Sequence, residues 1–202
     1  MQEKLTEKHK YSHRVLDVCC GGRMFWLDKS DHRAIFIDRR KETHLLKDAT
    51  VKGGVRKFSV WPDIQADFTR LPFQSNYFGL VVFDPPHRVT NGTKSWMHKK
   101  YGTLQGDWQE MLKQGFSECF RVLAPGGTLI FKWSAYQIQL SCILALTDSK
   151  PLFGHRSGKL NNTHWITFMK DLQDAERGLT TDAPACGDGQ DDTQDDKATT
   201  DD

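Results

Sequence analysis

Phe78-Gly79-Leu80-Val81-Val82-Phe83-Asp84-Pro85-Pro86-His87 is an apolar run that stops on an acid and two prolines. So short a run, lacking polar alternation, reads as a strand buried on both faces. The prolines end it, because neither can donate to a ladder and each fixes φ as the chain leaves the sheet. Similar runs recur outward from it. Residues 14–18 (RVLDV) stop before the glycine pair Gly21-Gly22, residues 34–38 (AIFID) end in an acid, and a shorter strand fits 63–66. Downstream, Met111, Leu112, Phe116, Cys119, Phe120 and Leu123 recur at three-to-four spacing and predict a helix over 108–123. The turn Ala124-Pro125-Gly126-Gly127 then feeds a strand at 128–133, followed by a helix at 136–146 and a last strand at 164–169. A short crossover helix is expected at 23–29. Apolar strands alternating with helices indicate an α/β protein built on a doubly wound, mostly parallel sheet.

The chain has 202 residues, room for one domain and a tail, and divides into a lead-in (1–13), a body (14–170) and an acidic tail (171–202). The tail holds 11 Asp/Glu against 2 Lys/Arg and almost no branched apolar residue, so disorder is expected there. The remaining 170 residues carry 26 basic against 15 acidic side chains, a surplus that favours a polyanionic partner. The apolar runs are too short to span a bilayer, and the N-terminus shows no apolar signal region, so the reading is a cytoplasmic protein without a membrane partner. Five cysteines without a CxxC pair read as free thiols in a reducing compartment, and no metal site is expected.

In open parallel sheets ligands bind beyond the carboxyl ends of the strands, so the residues there have first claim on function. The first strand ends in Asp17-Val18-Cys19-Cys20-Gly21-Gly22-Arg23, a glycine turn that lets a backbone approach a ligand but is not GxGxxG. Asp38 ends the second strand, twenty-one residues after Asp17, where an acid can accept from ribose hydroxyls. Asp67-Phe68 ends the third, where an acid could accept from an adenine amino group. Asp84-Pro85-Pro86-His87 ends the fourth.

These residues resemble the class I S-adenosylmethionine-dependent methyltransferases, and within them the amino-methyltransferases whose fourth strand ends in [DNS]PP[YFW]. The resemblance covers roughly residues 14–170 and implies a Rossmann-like sheet of about seven strands. The glycine turn is similar to that of the DNA adenine-N6 and cytosine-N4 enzymes, and residues 122–129 (VLAPGGTL) to the common lead-in to strand five. The CCG-x-RMFW, DPPH and THW elements are similar to those of short phage or prophage methyltransferases. The resemblance implies S-adenosylmethionine as cofactor, with Asp17, Cys19, Cys20 and Gly21 around its methionine, Asp38 on the ribose, and Asp67 and Phe68 on the adenine. Two positions depart from the pattern. His87 stands where an aromatic ring stacks on the extruded base, and Arg23 replaces a small residue of the turn, reaching either the methionine carboxylate or solvent.

Asp84, Pro85, Pro86 and His87 form the expected catalytic loop. An aromatic amine is a poor nucleophile, because its lone pair is delocalised into the ring. Asp84 and the Pro85 carbonyl, accepting its two N–H groups, would localise that pair toward a methyl donor. Residues 88–107 follow directly, with Arg88, Lys94, Lys99 and Lys100 for phosphates and Trp96 and Tyr101 for base faces, and read as nucleic-acid contact and lid. Lys132-Trp133 and Thr163-His164-Trp165 could border the same cleft. The leading expectation is methylation of a nucleobase amine in DNA, first adenine N6 and then cytosine N4, with the base extruded from a duplex. The alternatives are a base N-methyltransferase acting on ribosomal RNA and, in another class, a catalytically idle Rossmann-like module that binds nucleic acid.

Overall fold

The computed structural model describes residues 15–89 and 96–172, so Lys94, the lead-in and nearly all of the acidic tail lie outside the described residues. Seven strands form one sheet in the order β5 (Ile64–Gln65), β2 (Ala34–Asp38), β1 (Val15–Asp17), β6 (Phe78–Phe83), β7 (Leu123–Ser134), β9 (Thr163–Met169) and β8 (Phe153–Ser157). The first five run parallel, and β9 lies antiparallel between β7 and β8. This is the expected α/β doubly wound arrangement, and β2 and β6 keep the expected bounds.

The helix α2 (Trp108–Val122) covers one face of the sheet. Asp107 starts it by accepting from Glu110 N. Its apolar stripe places the Phe116 ring 5.4 Å from Phe83 and 4.9 Å from Phe131. Removing one such buried phenyl costs about 3–5 kcal/mol. Gly115 lets this helix approach closely, because a Cβ there would stand 2.8 Å from both Phe68 and Phe83. At the far end, the buried Lys170 Nζ donates to Asn76 Oδ1 and to the carbonyls of Phe120 and Leu123, closing the end of α2 on β9.

Three expectations are corrected. Residues 23–29 form turns rather than a helix, because Gly21 and Arg23 have φ of 49° and 51°, Asp28 accepts from Ser30 N, and Arg23 Nη1 donates to Lys29 O. The β1 to β2 crossover is therefore covered by Trp26, whose ring lies edge-on to Phe36 at 4.7 Å. The helix expected at 136–146 shortens to α3 (Leu140–Leu144), because the Trp133 indole donates to Ile138 O and residues 135–138 are held in turns and bends. The connection from β2 to β5 is an antiparallel hairpin, β3 (Glu42–Lys47) with β4 (Val55–Val60), where no strand was expected. The helix α1 (Trp96–Tyr101) lies in the segment read as a lid. No helix among the described residues is long and apolar enough to cross a membrane.

Candidate active site

The strand order reverses between β1 and β6, so the crevice beyond their carboxyl ends is the topological switch point. Val18 and Cys19 enter it from β1, and Asp84 and Pro86 from β6. Val18, Cys19, Asp38, Phe68, Asp84 and Pro86 line one cleft there, and Arg40, Tyr101, Gly102 and Met111 complete its walls. Four strand ends and the lid segment thus meet around a single opening.

Asp38 is held at the rim. Its Oδ2 accepts from Gly21 N at 2.9 Å, which the positive φ of Gly21 permits, and its Oδ1 accepts from Arg40 N at 2.9 Å and Nε at 3.2 Å. Arg40 Nη1 also donates to Lys99 O at 3.1 Å, tying α1 to the end of β2. Phe68 packs edge-on to Phe83 at 5.3 Å, in the space that Gly115 leaves. Asp67 is turned away from the cleft lining: its Oδ1 accepts from Thr69 N and Oγ1, and Arg39 lies 3.8 Å from Oδ2.

Asp84 Oδ2 accepts from Lys132 Nζ at 2.5 Å, with both side chains largely withdrawn from water. The same ammonium lies 5.9 Å from the Phe25 ring centre and 5.6 Å from that of Trp165, so aromatic faces back the cation. His87 sits 6.1 Å from the Tyr101 and Trp133 rings. Burial pulls its imidazole below the usual range, against the opposing charge of Asp84. Its Nδ1 is buried without a hydrogen-bond partner among the described residues.

The other expected cofactor residues stand behind the cleft. Asp17 is fully buried, accepting from Trp26 Nε1 at 2.7 Å and Cys19 N at 3.3 Å. Burial pushes its carboxyl up to about 7, helped by the nearby Asp84 and Asp38 and opposed by the two donated bonds. Cys20 packs with Ala34 and Phe36 rather than on the opening. The Arg23 guanidinium lies over the Phe36 ring and donates to Trp61 O and Asp63 Oδ1, pinning the hairpin base to the glycine turn. On the lid, Lys100 Nζ lies over the Trp96 and Tyr101 rings at 4.4 and 5.0 Å, and Arg88 over Tyr136 at 5.1 Å. Gly102, with φ of 72°, brings the end of α1 against the 84–87 loop: a Cβ there would stand 3.3 Å from Pro86 Cγ.

Sequence reasoning missed Arg40 and the pairing of Lys132 with Asp84. The signal for Lys132 was present, because a lone cation alternating between the core residues Phe131 and Trp133 must leave the sheet on the site side or at the strand end. Arg40 carried none, since Arg39-Arg40-Lys41 reads as a solvated charge run.

Solved structures share this fold. A protein from Pyrococcus horikoshii OT3 is similar over 83% of this chain and 86% of its own, at 15% identity and a TM-score of 0.51. A SAM-dependent methyltransferase from Methanosarcina mazei is similar over 86% of this chain and 99% of its own, at 11% identity and a TM-score of 0.50. The fold is similar to that of this methyltransferase. At these identities the likeness is one of fold, and neither a family model nor a curated protein matches the sequence. Within this fold, Asp38 ends β2, Phe68 and Asp84 come after the carboxyl ends of β5 and β6, and all three line one cleft.

Proposed function

We propose that the chain is an S-adenosylmethionine-dependent methyltransferase acting on an exocyclic amine of a nucleobase in DNA, first adenine N6 and then cytosine N4. The observation that carries this reading is that Asp84 and Pro86 line the same cleft as Cys19, Asp38 and Phe68.

The donor set suits the cofactor: an acid for ribose hydroxyls, a phenyl for the adenine ring and a glycine turn that admits close backbone approach. Cys19, Asp38 and Phe68 would hold it. S-adenosylmethionine, when bound, supplies an electrophilic methyl group on a sulfonium. Arg40 must release Asp38 for the carboxylate to accept from hydroxyls, which also frees Lys99 O and so links cofactor entry to the lid. Asp84, with the Pro85 carbonyl, accepts the N–H groups of the incoming amine and localises its lone pair. No strong base is needed, because the amine becomes acidic once alkylated.

The neighbouring Lys132 supports the choice of base. Acceptor beside donor, as in Asp84 and Lys132, complements the pairing edges of adenine and cytosine, where an amine adjoins a ring nitrogen that accepts. On guanine's pairing edge the amine adjoins a ring N–H. His87, next to the cleft-lining Pro86, keeps a buried Nδ1 without a hydrogen-bond partner among the described residues.

The test is nucleoside mass spectrometry after incubating the protein and S-adenosylmethionine with separate DNA and RNA pools, beside an Asp84→Ala control. N6-methyladenine or N4-methylcytosine in DNA alone, lost in the control, is the expected result. Methylated guanine in RNA overturns the choice of polymer and base. Silence in both pools overturns the nucleic-acid substrate.

A further inference from the structure

The β3–β4 hairpin stands where a crossover helix would otherwise join β2 to β5, and its two faces differ. One face packs on the body. Leu46 and Val60 are buried, and Phe58 fills the space beside Gly22 so closely that a Cβ there would stand 2.6 Å from its ring. The opposite face is set by the register, in which Thr43 pairs with Ser59, Leu45 with Lys57 and Lys47 with Val55. Lys41 and Trp61 extend that row at the base of the hairpin, with Lys41 Nζ lying 4.7 Å from the Trp61 ring centre.

This outer face is exposed at every position but Ser59, which is half-buried. Trp61 is 62% exposed and Leu45 71%. Lys41, Lys47 and Lys57 have no carboxylate partner among the described residues, and the face carries no acid. Residues 39–62 hold seven lysines and arginines against two acids. An apolar face with one aromatic ring and three unpaired lysines suits a polyanion that also offers sugar and base surface. It does not suit a second copy of itself, because the two lysine rows would repel.

We propose that the outer face of the β3–β4 hairpin is a second nucleic-acid contact, holding the phosphate backbone of duplex DNA outside the methylation cleft. A two-stranded ribbon is narrow enough to lie along or within a major groove. The hairpin base adjoins Gly21 and Gly22, with Ser59 and Trp61 of the outer row beside the glycine turn that follows β1. The inference rests on the proposed nucleic-acid substrate but concerns binding, which is read without turnover.

The test is fluorescence anisotropy of a labelled 30-base-pair duplex with the full chain and with Lys41→Gln/Lys47→Gln/Lys57→Gln, from 50 to 200 mM salt. Each phosphate contact contributes about 0.9 to the salt slope, so losing three lowers it by about 2.7, and the affinity ratio between the two proteins narrows about fortyfold over that range. All three side chains are exposed, so an unchanged melting temperature certifies the fold. Trp61→Ala is the second variant, expected to weaken binding at every salt concentration without changing the slope. Equal slopes for wild type and triple variant overturn the inference, as does a wild-type protein that does not bind the duplex. A dimer that the triple variant strengthens marks the face as a self-association surface and overturns it too. Methylation measured on the same samples separates the outcomes. Slope loss with no methyl product leaves the contact standing and removes the catalytic reading, whereas methyl product with equal slopes does the reverse.

Discussion

The substitution Asp17→Asn should stabilise the protein at neutral pH. Asp17 is fully buried, and burial raises its carboxyl from 3.8 to about 7. A carboxyl raised by folding binds its proton more tightly in the native state than in the unfolded chain. Stability therefore falls as pH rises from the unfolded value toward the folded one, with no penalty below about 3.8 and the whole penalty above about 7. At 1.36 kcal/mol per pH unit the full penalty is about 4 kcal/mol, of which about 2.5 kcal/mol develops between pH 5 and pH 7.5. The carboxamide oxygen of the variant still accepts from the Trp26 indole and the amide has nothing to ionise, so the variant lacks this component of the pH dependence. For a chain of this size, 2.5 kcal/mol corresponds to roughly 5–10 °C in Tm. Thermal melts followed by circular dichroism at pH 5 and pH 7.5 measure the difference between variant and wild type at each pH, in which every other titrating group cancels. A Tm gap that widens by several degrees toward pH 7.5 is the expected result. Gaps equal at the two pH values refute the claim that Asp17 is strained by its own charge.

Three further substitutions probe the cleft. Gly115→Ala drives a Cβ into Phe68 and Phe83, with about 1–3 kcal/mol of overpacking partly offset by about 1 kcal/mol of helix propensity. S-adenosylmethionine affinity by calorimetry should weaken about tenfold, roughly 1.4 kcal/mol, as Phe68 is displaced. Gly102→Ala adds left-handed backbone strain of about 1–2 kcal/mol and crowds Pro86. It should lower kcat in steady-state methylation while leaving cofactor affinity near wild type. Lys132→Met frees the Asp84 carboxylate to rotate, and misplacing a reacting group can cost up to about 10²-fold in rate. Single-turnover methylation should slow accordingly, and an unchanged rate would remove Lys132 from the positioning of Asp84.

The sheet was legible because its strands are buried on both faces. Residues 34–38 and 78–83 are uninterrupted apolar runs that no exposed segment would tolerate, and the acids ending them mark the strand ends that face the cleft. The edge strand β8 escaped notice because Phe153–Ser157 (FGHRS) is nearly all exposed and carries no apolar pattern. The hairpin escaped because its buried side uses only alternate residues while lysines fill the rest, which reads as a charged loop. At the cleft, Asp38, Phe68 and Asp84 could be found from strand ends alone. Asp17 and Arg23 could be named but not oriented, because orientation depends on Trp26 and Asp63, partners 9 and 40 residues away.

The connection between β1 and β2 has no helical ladder, and its order rests on side chains: Trp26 on Phe36, Arg23 on Asp63, and aspartates turned onto nearby amides. Amides held this way open without waiting for the sheet to unfold. Hydrogen exchange across residues 21–33 should therefore run well ahead of exchange in β1 and β2 on either side. A ligand seated on the glycine turn would slow that exchange, so the protection factors of this one segment report occupancy of a cleft that the rest of the sheet barely registers.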